Sequence, residues 1–168
     1  FGKDRCDITD EAAVAALIQE LRPAWVIHCA GYTRVDDAET EREKAMRING
    51  EAPGSIARIC RDEGSSFLHI STDYVFNGAG HRPWNENDAP DPINYYGLTK
   101  REGELGVQQA GGRWCIIRTQ WLFGPGGRNF IDTIKGLCLE RDAIQVVSDQ
   151  FGAPTYSLDM ARAILHML

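Results

Sequence analysis

The chain has 168 residues, 43% of them hydrophobic and 25% charged, and a formal net charge of −6. That length suffices for one ordinary domain with a core, and that balance excludes a disordered chain. The acidic sum argues against a protein that coats nucleic acid or an anionic membrane surface, without bearing on a local basic pocket for a phosphate.

No apolar run is long enough to span a bilayer. The start, Phe1-Gly2-Lys3-Asp4, has neither an initiator Met nor the apolar segment of a secretory leader. A fragment of a longer, cytoplasmic protein is the expectation. The five cysteines, Cys6, Cys29, Cys60, Cys115 and Cys138, are widely spaced and form no Cys-x-x-Cys. Reduced, buried thiols fit that pattern better than a disulfide scaffold or a zinc site. The histidines are equally dispersed. His28 and His69 lie in apolar, strand-like runs, where a hydrogen-bonded core or strand-end residue is expected rather than a ligand, so no metal is assigned.

In chain order, Cys6-Asp7-Ile8 reads as the end of a short strand, and Thr9 or Asp10 as the cap of a helix to about Leu21. Pro23 punctuates it. Trp25 to Ala30 is almost continuously apolar, the pattern of a buried parallel strand, and Gly31-Tyr32-Thr33 follows as a loop. Glu39 to about Asp62 is the longest helical stretch. Its Glu41, Arg42, Glu43 and Lys44 form a solvated face, while Gly50, Pro53 and Gly54 predict a kink or two helices. Gly64 marks the stop, and Ser66 to Ser71 is the next apolar strand.

A polar loop rich in Gly, Asn, Asp and Pro runs from Asn77 to Asn94; such length inside a compact domain suggests a functional loop or lid. A helix carrying Tyr96 follows and fades at Gly111-Gly112. Trp114 to Thr119 is a third strand, Gly124-Pro125-Gly126-Gly127 a turn, Asn129 to Arg141 a helix and Ile144 to Val147 a fourth strand. Asp149 to Thr155 is a loop, and a last helix begins near Leu158. The glycine-proline turn is no P-loop, because no Gly-Lys-Ser/Thr follows. Strands alternating with helices predict an α/β domain with a parallel sheet and right-handed crossovers.

In such sheets ligands bind beyond the carboxyl ends of the strands. Those ends carry Gly31-Tyr32-Thr33, Ser71-Thr72-Asp73-Tyr74 and Gln120-Trp121. The stretch around Pro92 to Glu104 adds Tyr96 and Lys100 on one helix face, since positions i and i+4 are neighbours there. An isolated phenol titrates near ~10, and a lysine cation beside it favours the phenolate. The pair is expected to act as a proton donor matched to neutral pH. Alone, the pair is also what a surface helix with a solvated lysine presents. Thr72 alone could end its strand, Asp73 cap a turn, and Trp121 fill a core.

Ser71-Thr72-Asp73-Tyr74-Val75-Phe76 followed by Tyr96-Gly97-Leu98-Thr99-Lys100 resembles the extended short-chain dehydrogenase/reductase superfamily. Ala30 to Asp36, Arg118-Thr119-Gln120-Trp121 and Asp149 to Thr155 narrow the resemblance to the dTDP-4-dehydrorhamnose reductase family. The resemblance implies a Rossmann-like doubly wound parallel sheet over 1–168, partial because the glycine-rich strand-loop-helix and part of the substrate lobe lie outside it. Residues 120–157 would contribute to the substrate region.

The implied reaction is NADPH- or NADH-dependent reduction of the 4-keto group of dTDP-4-dehydro-rhamnose. Tyr96 would protonate the alkoxide, Lys100 would hold the nicotinamide ribose, and Thr72 would hydrogen-bond the keto oxygen. Asp73, Tyr74 and Trp121 would line the sugar pocket. Gly31, Tyr32 and Thr33 would pack along the cofactor, and Asp7 and Ile8 would sit near the adenine. The resemblance leaves room for a homodimer and gives no reason for a nucleic-acid or membrane partner. Dehydratases of the superfamily place an Asp-Glu pair after the strand-end threonine; here Asp73 is followed by Tyr74, which argues against dehydration. An epimerase, or a non-catalytic regulatory subunit, remains an alternative.

Overall fold

The computed structural model describes residues 2, 4–80, 82–127 and 129–168. Phe1 and Lys3 of the opening stretch, and His81 of the long polar loop, lie outside the described residues. The chain forms two compact units, Phe1–Arg118 and Thr119–Leu168.

The first unit begins with α1 (Glu11–Leu21) and β1 (Trp25–His28). A 3-10 turn at Asp37–Glu39, α2 (Arg42–Ala45), a π-helical stretch Met46–Glu51 and α3 (Ala52–Asp62) follow. Then come β2 (Ser66–Thr72), a 3-10 turn at Asp73–Val75, α4 (Tyr95–Ala110) and β3 (Trp114–Thr119). β2 is the central strand, flanked by β1 and β3. β1 runs parallel to it, with Val26 opposite Phe67 and His28 opposite His69. Every β2 residue but the half-buried Ile70 is buried, as a strand covered on both faces requires.

Local chemistry explains the helix ends. The Asp10 carboxylate accepts the Ala13 N–H to start α1, and the chain leaves it through Arg22 at φ 44°, whose N–H reaches Ile18 O. One face of α1 supplies Val14 and Ile18 to a core shared with Ile56, Ala57 and Cys60 of α3, Phe67 of β2, and Val107 and Ala110 of α4. Burying a side chain such as Phe67, 1% exposed, stabilises the fold by about 1.5–3 kcal/mol. α3 and α4 touch backbone to backbone: a Cβ added at Gly54 would lie 3.1 Å from Gly106 Cα.

The long helical region divides as its Gly and Pro residues predict, but not by a simple kink. A π-helical stretch carries Gly50, and Pro53 sits in the first turn of α3, where its missing N–H is no loss. Two expected strands do not form. Cys6-Asp7-Ile8 lies at a turn, where Asp7 Oδ1 accepts the N–H and hydroxyl of Thr9 at 3.0 and 2.8 Å. Ile144 to Val147 is irregular; Val146 and Val147 are exposed, and a strand needs a neighbour to pair its backbone. All five cysteines are free thiols, but only Cys60 is fully buried. Cys29 and Cys138 are exposed, the latter on a helix with no buried residue.

The second unit holds β4 (Leu122–Phe123), α5 (Phe130–Glu140), β5 (Thr155–Tyr156) and α6 (Ser157–Met167). β4 and β5 pair in parallel, with Leu122 opposite Thr155. Strands of two residues leave no periodic signal, so the sequence reads them as loop. Asn129 caps α5 by accepting the Asp132 N–H, and the Gly124–Gly127 turn passes through Gly126 at φ 91°. Among the described residues, no helix is long and apolar enough to cross a membrane.

Candidate active site

The carboxyl end of β2 and the first turns of α4 meet. Asn94 starts α4 by accepting the Gly97 N–H at 2.7 Å, which sets Tyr96 and Lys100 one turn apart on the face toward β2. Gly97 is pressed against the Tyr74 carbonyl. A Cβ there would overlap Tyr74 O and lie 3.1 Å from Pro92 Cβ. Gly97→Ala is therefore expected to lower unfolding stability by about 1–3 kcal/mol. Chemical denaturation checks this, and an unchanged midpoint would contradict the close packing.

Thr72 ends β2 with its side chain buried. Its hydroxyl donates to Asp73 Oδ1 at 3.1 Å and accepts the Tyr74 N–H at 3.3 Å. The Tyr96 phenol shares a hydrogen bond with the same hydroxyl. The Tyr74 and Tyr96 rings meet edge to face, with centroids 5.6 Å apart. Thr72, Asp73, Tyr74 and Tyr96 thus form one cluster. Burial raises the titration of the Asp73 carboxyl and of the Tyr74 phenol; nearby Asp73 adds to the latter.

Lys100, one turn along α4 from Tyr96, is 5% exposed. Its Nζ donates to Ile70 O at 2.7 Å and lies 3.3 Å from His69 Nε2. Burial pulls its pKa down to about 8, with Glu104 partly opposing. The Glu104 carboxylate receives a two-point hydrogen bond from Arg118, at 2.9 and 2.7 Å.

One sequence-based expectation is reversed. The Tyr96 phenol is raised, not lowered, because burial outweighs its hydrogen bond with Thr72, and Asp73 and Tyr74 act in the same direction as burial. The ammonium expected to depress it is directed instead at Ile70 O and His69. At neutral pH the phenol therefore keeps its proton.

Gly31 and Thr33 are exposed beyond β1, while Tyr32 between them is buried beside Tyr95 and Tyr96. Asn49, in the π-helical stretch, fixes this loop. Its Oδ1 accepts the Tyr32 N–H at 2.8 Å, and its Nδ2 donates to Tyr32 O at 2.9 Å and to Thr99 Oγ1 at 3.2 Å. Sequence reasoning passes over Asn49; an amide side chain next to Gly50 inside an otherwise helical stretch is the signal that marks it. Asp7 and Ile8 stand ahead of α1, with Ile8 packed on the apolar core. Trp121 belongs to the second unit and takes φ 46°, a strained conformation for a bulky residue; its carbonyl accepts the Thr155 N–H at 3.3 Å.

The cluster combines three hydroxyls and a carboxyl, with the buried Lys100 one turn along α4, where parallel strands bind ligands. Such a set can polarise a carbonyl oxygen and hand it a proton.

Comparison with known proteins follows the same line. The chain is 45% identical over 162 residues to a dTDP-4-dehydrorhamnose reductase of Streptomyces griseus, covering 96% of this chain and 53% of that protein. It is 40% identical over 168 residues to the enzyme of that name from Burkholderia thailandensis, covering all of this chain and 56% of that protein. The fold superimposes with a TM-score of 0.97 on the crystal structure of dTDP-4-dehydrorhamnose reductase from Bacillus anthracis in complex with NADP, at 42% identity. That match covers 99% of this chain and 59% of the other. The chain thus spans a little over half the length of the relatives it matches, and its α/β fold with parallel strands is Rossmann-like. The profile described as "RmlD substrate binding domain" matches residues 1–168, and the chain belongs to that family.

Proposed function

We propose that the intact protein reduces the 4-keto group of a dTDP-linked deoxysugar, dTDP-4-dehydro-L-rhamnose, with NADPH or NADH. The observation that carries this reading is the hydrogen bond between the Tyr96 phenol and the Thr72 hydroxyl, with Lys100 buried one turn along the same helix. The names of the relatives and the NADP in the Bacillus anthracis structure support it.

The donor set fits a dinucleotide and a ketone. An ammonium has three N–H groups, and Ile70 O and His69 take two, which leaves one for a ribose hydroxyl. Lys100, with Gly31, Tyr32 and Thr33 of the loop clamped by Asn49, would hold the cofactor; Asp7 and Ile8 would border its adenine. When bound, the reduced nicotinamide supplies hydride to the ketone carbon. Thr72 Oγ1 donates to the keto oxygen and draws charge onto it. Tyr96 then gives its phenolic proton to the forming alkoxide, and the protonated resting phenol that burial favours is the form this step needs. Asp73, Tyr74 and Trp121 would border the sugar, with residues 120–157 contributing to its binding region.

The test is consumption of reduced nicotinamide on adding the 4-keto dTDP-sugar to the intact protein. Absence of turnover with every such sugar, with binding of a partner enzyme instead, would favour a regulatory role. The titration of Lys100 gives a second check. The ammonium, held at about 8, is lost as pH rises through that value, so kcat/KM should fall above it. A profile flat up to about 10, where an ordinary lysine titrates, would detach Lys100 from cofactor holding.

A further inference from the structure

Behind Lys100 stands a pair of histidines that the reduction chemistry does not use. His69 on β2 is fully buried and His28 on β1 is 5% exposed. Strand register sets them opposite each other. Their rings stack with centroids 5.2 Å apart and 19° between planes, and their Nδ1 atoms are 3.0 Å apart.

The lysine dictates where the protons sit. An ammonium only donates, so His69 Nε2, 3.3 Å away, must offer its lone pair. The His69 proton is then on Nδ1 and points at His28 Nδ1. That atom must accept, so His28 carries its proton on Nε2. Burial first, and the Lys100 charge second, hold His28 down at about 4 and His69 at about 2, so both rings are neutral at physiological pH.

We propose that His69, oriented by His28, is a positioning residue that aims Lys100 Nζ and keeps it an ammonium at the carboxyl end of β2. This deepens the reductase reading and rests on it for its link to catalysis. The four-carbon lysine stem is flexible, and a single main-chain acceptor leaves the head free to pivot. A second acceptor, from a rigid ring locked to the neighbouring strand, removes that freedom. A hydrogen bond accepted from the charged form also favours that form. The other groups facing Lys100 leave this role to His69. Tyr96 on α4 is a neutral phenol bonded to Thr72; Asp73 accepts from the Thr72 hydroxyl, and the Tyr74 ring packs on that of Tyr96. Glu104 of α4 favours the lysine cation through space, but both its oxygens accept hydrogen bonds from Arg118 of β3.

The experiment compares wild type, His69→Leu and His69→Gln in the intact protein. Lys100 titration is followed by NMR on carbon-13-labelled lysine, and kcat/KM is measured against pH. His69→Leu should lower the Lys100 protonation constant by about tenfold, one pH unit, and move the alkaline limb of kcat/KM with it. His69→Gln, with an amide oxygen that can accept, should return both towards wild type. Nitrogen-15 spectra of wild type should show the His69 proton on Nδ1. An unchanged Lys100 titration in folded His69→Leu, or a proton on His69 Nε2, overturns the proposal. If His69→Leu does not fold, the wild-type nitrogen-15 spectrum decides. If wild type reduces no sugar, the reductase reading falls while the titration still judges the histidine.

Discussion

Tyr96→Phe in the intact protein is expected to lower kcat for ketone reduction by about 10²- to 10⁴-fold, the range for loss of a positioned proton donor. The change removes one oxygen from a ring that is half-buried and packed against Tyr74, so the ring contacts survive. Thr72 loses one hydrogen-bond partner but keeps Asp73 and the Tyr74 N–H. Stability should therefore change little, and binding of reduced nicotinamide, which the reading gives to Lys100 and the Gly31–Thr33 loop, should persist. Steady-state kinetics and a fluorescence titration of the cofactor separate the two effects. Turnover at the wild-type rate would remove Tyr96 from the mechanism; loss of cofactor binding along with turnover would make its role structural.

Arg118→Ala is expected to have the largest effect on stability, about 3–5 kcal/mol, because it strands the Glu104 carboxylate in the interior. Glu104 is 3% exposed, and both its oxygens are held by the guanidinium. The same guanidinium covers the Phe76 ring at 4.9 Å, so packing is lost as well. The pair ties β3 to α4, the helix that carries Tyr96 and Lys100. Activity should therefore fall with stability in this variant, unlike in Tyr96→Phe. Replacing both residues by leucine should recover much of the loss, since no unpaired charge remains. Urea unfolding of the two single variants and the double variant checks this. A cost below about 1 kcal/mol for Arg118→Ala would place the pair with ordinary surface bridges.

Much of the helix and strand pattern was legible because its signals are local. Asp10, Asn94 and Asn129 cap the helices that follow them, and Trp114 to Thr119 is a strand with the bounds its apolar run predicts. The association of Thr72, Asp73, Tyr74 and Tyr96 was legible too, since a strand end and a helix start carry it. What escaped was set by packing across elements. The π-helical stretch that points Asn49 at the Tyr32 loop leaves no periodic trace, and the His28–His69 stack exists only through the register of two strands. The shift of Tyr96 went against expectation for the same reason: burial is a property of the whole fold, while the i to i+4 spacing speaks only of neighbours on one helix. Ile144 to Val147 shows the converse, an apolar run without a partner strand.

The shorter of the two lysine contacts ends on the Ile70 carbonyl, an atom of the peptide chain itself. Every amino acid that keeps the strand intact supplies that oxygen. A saturation scan at position 70 will report only on bulk and shape and will stay silent about this attachment. Exchanging the peptide linkage between residues 70 and 71 for an ester, which weakens the carbonyl as an acceptor, is the substitution that reaches it.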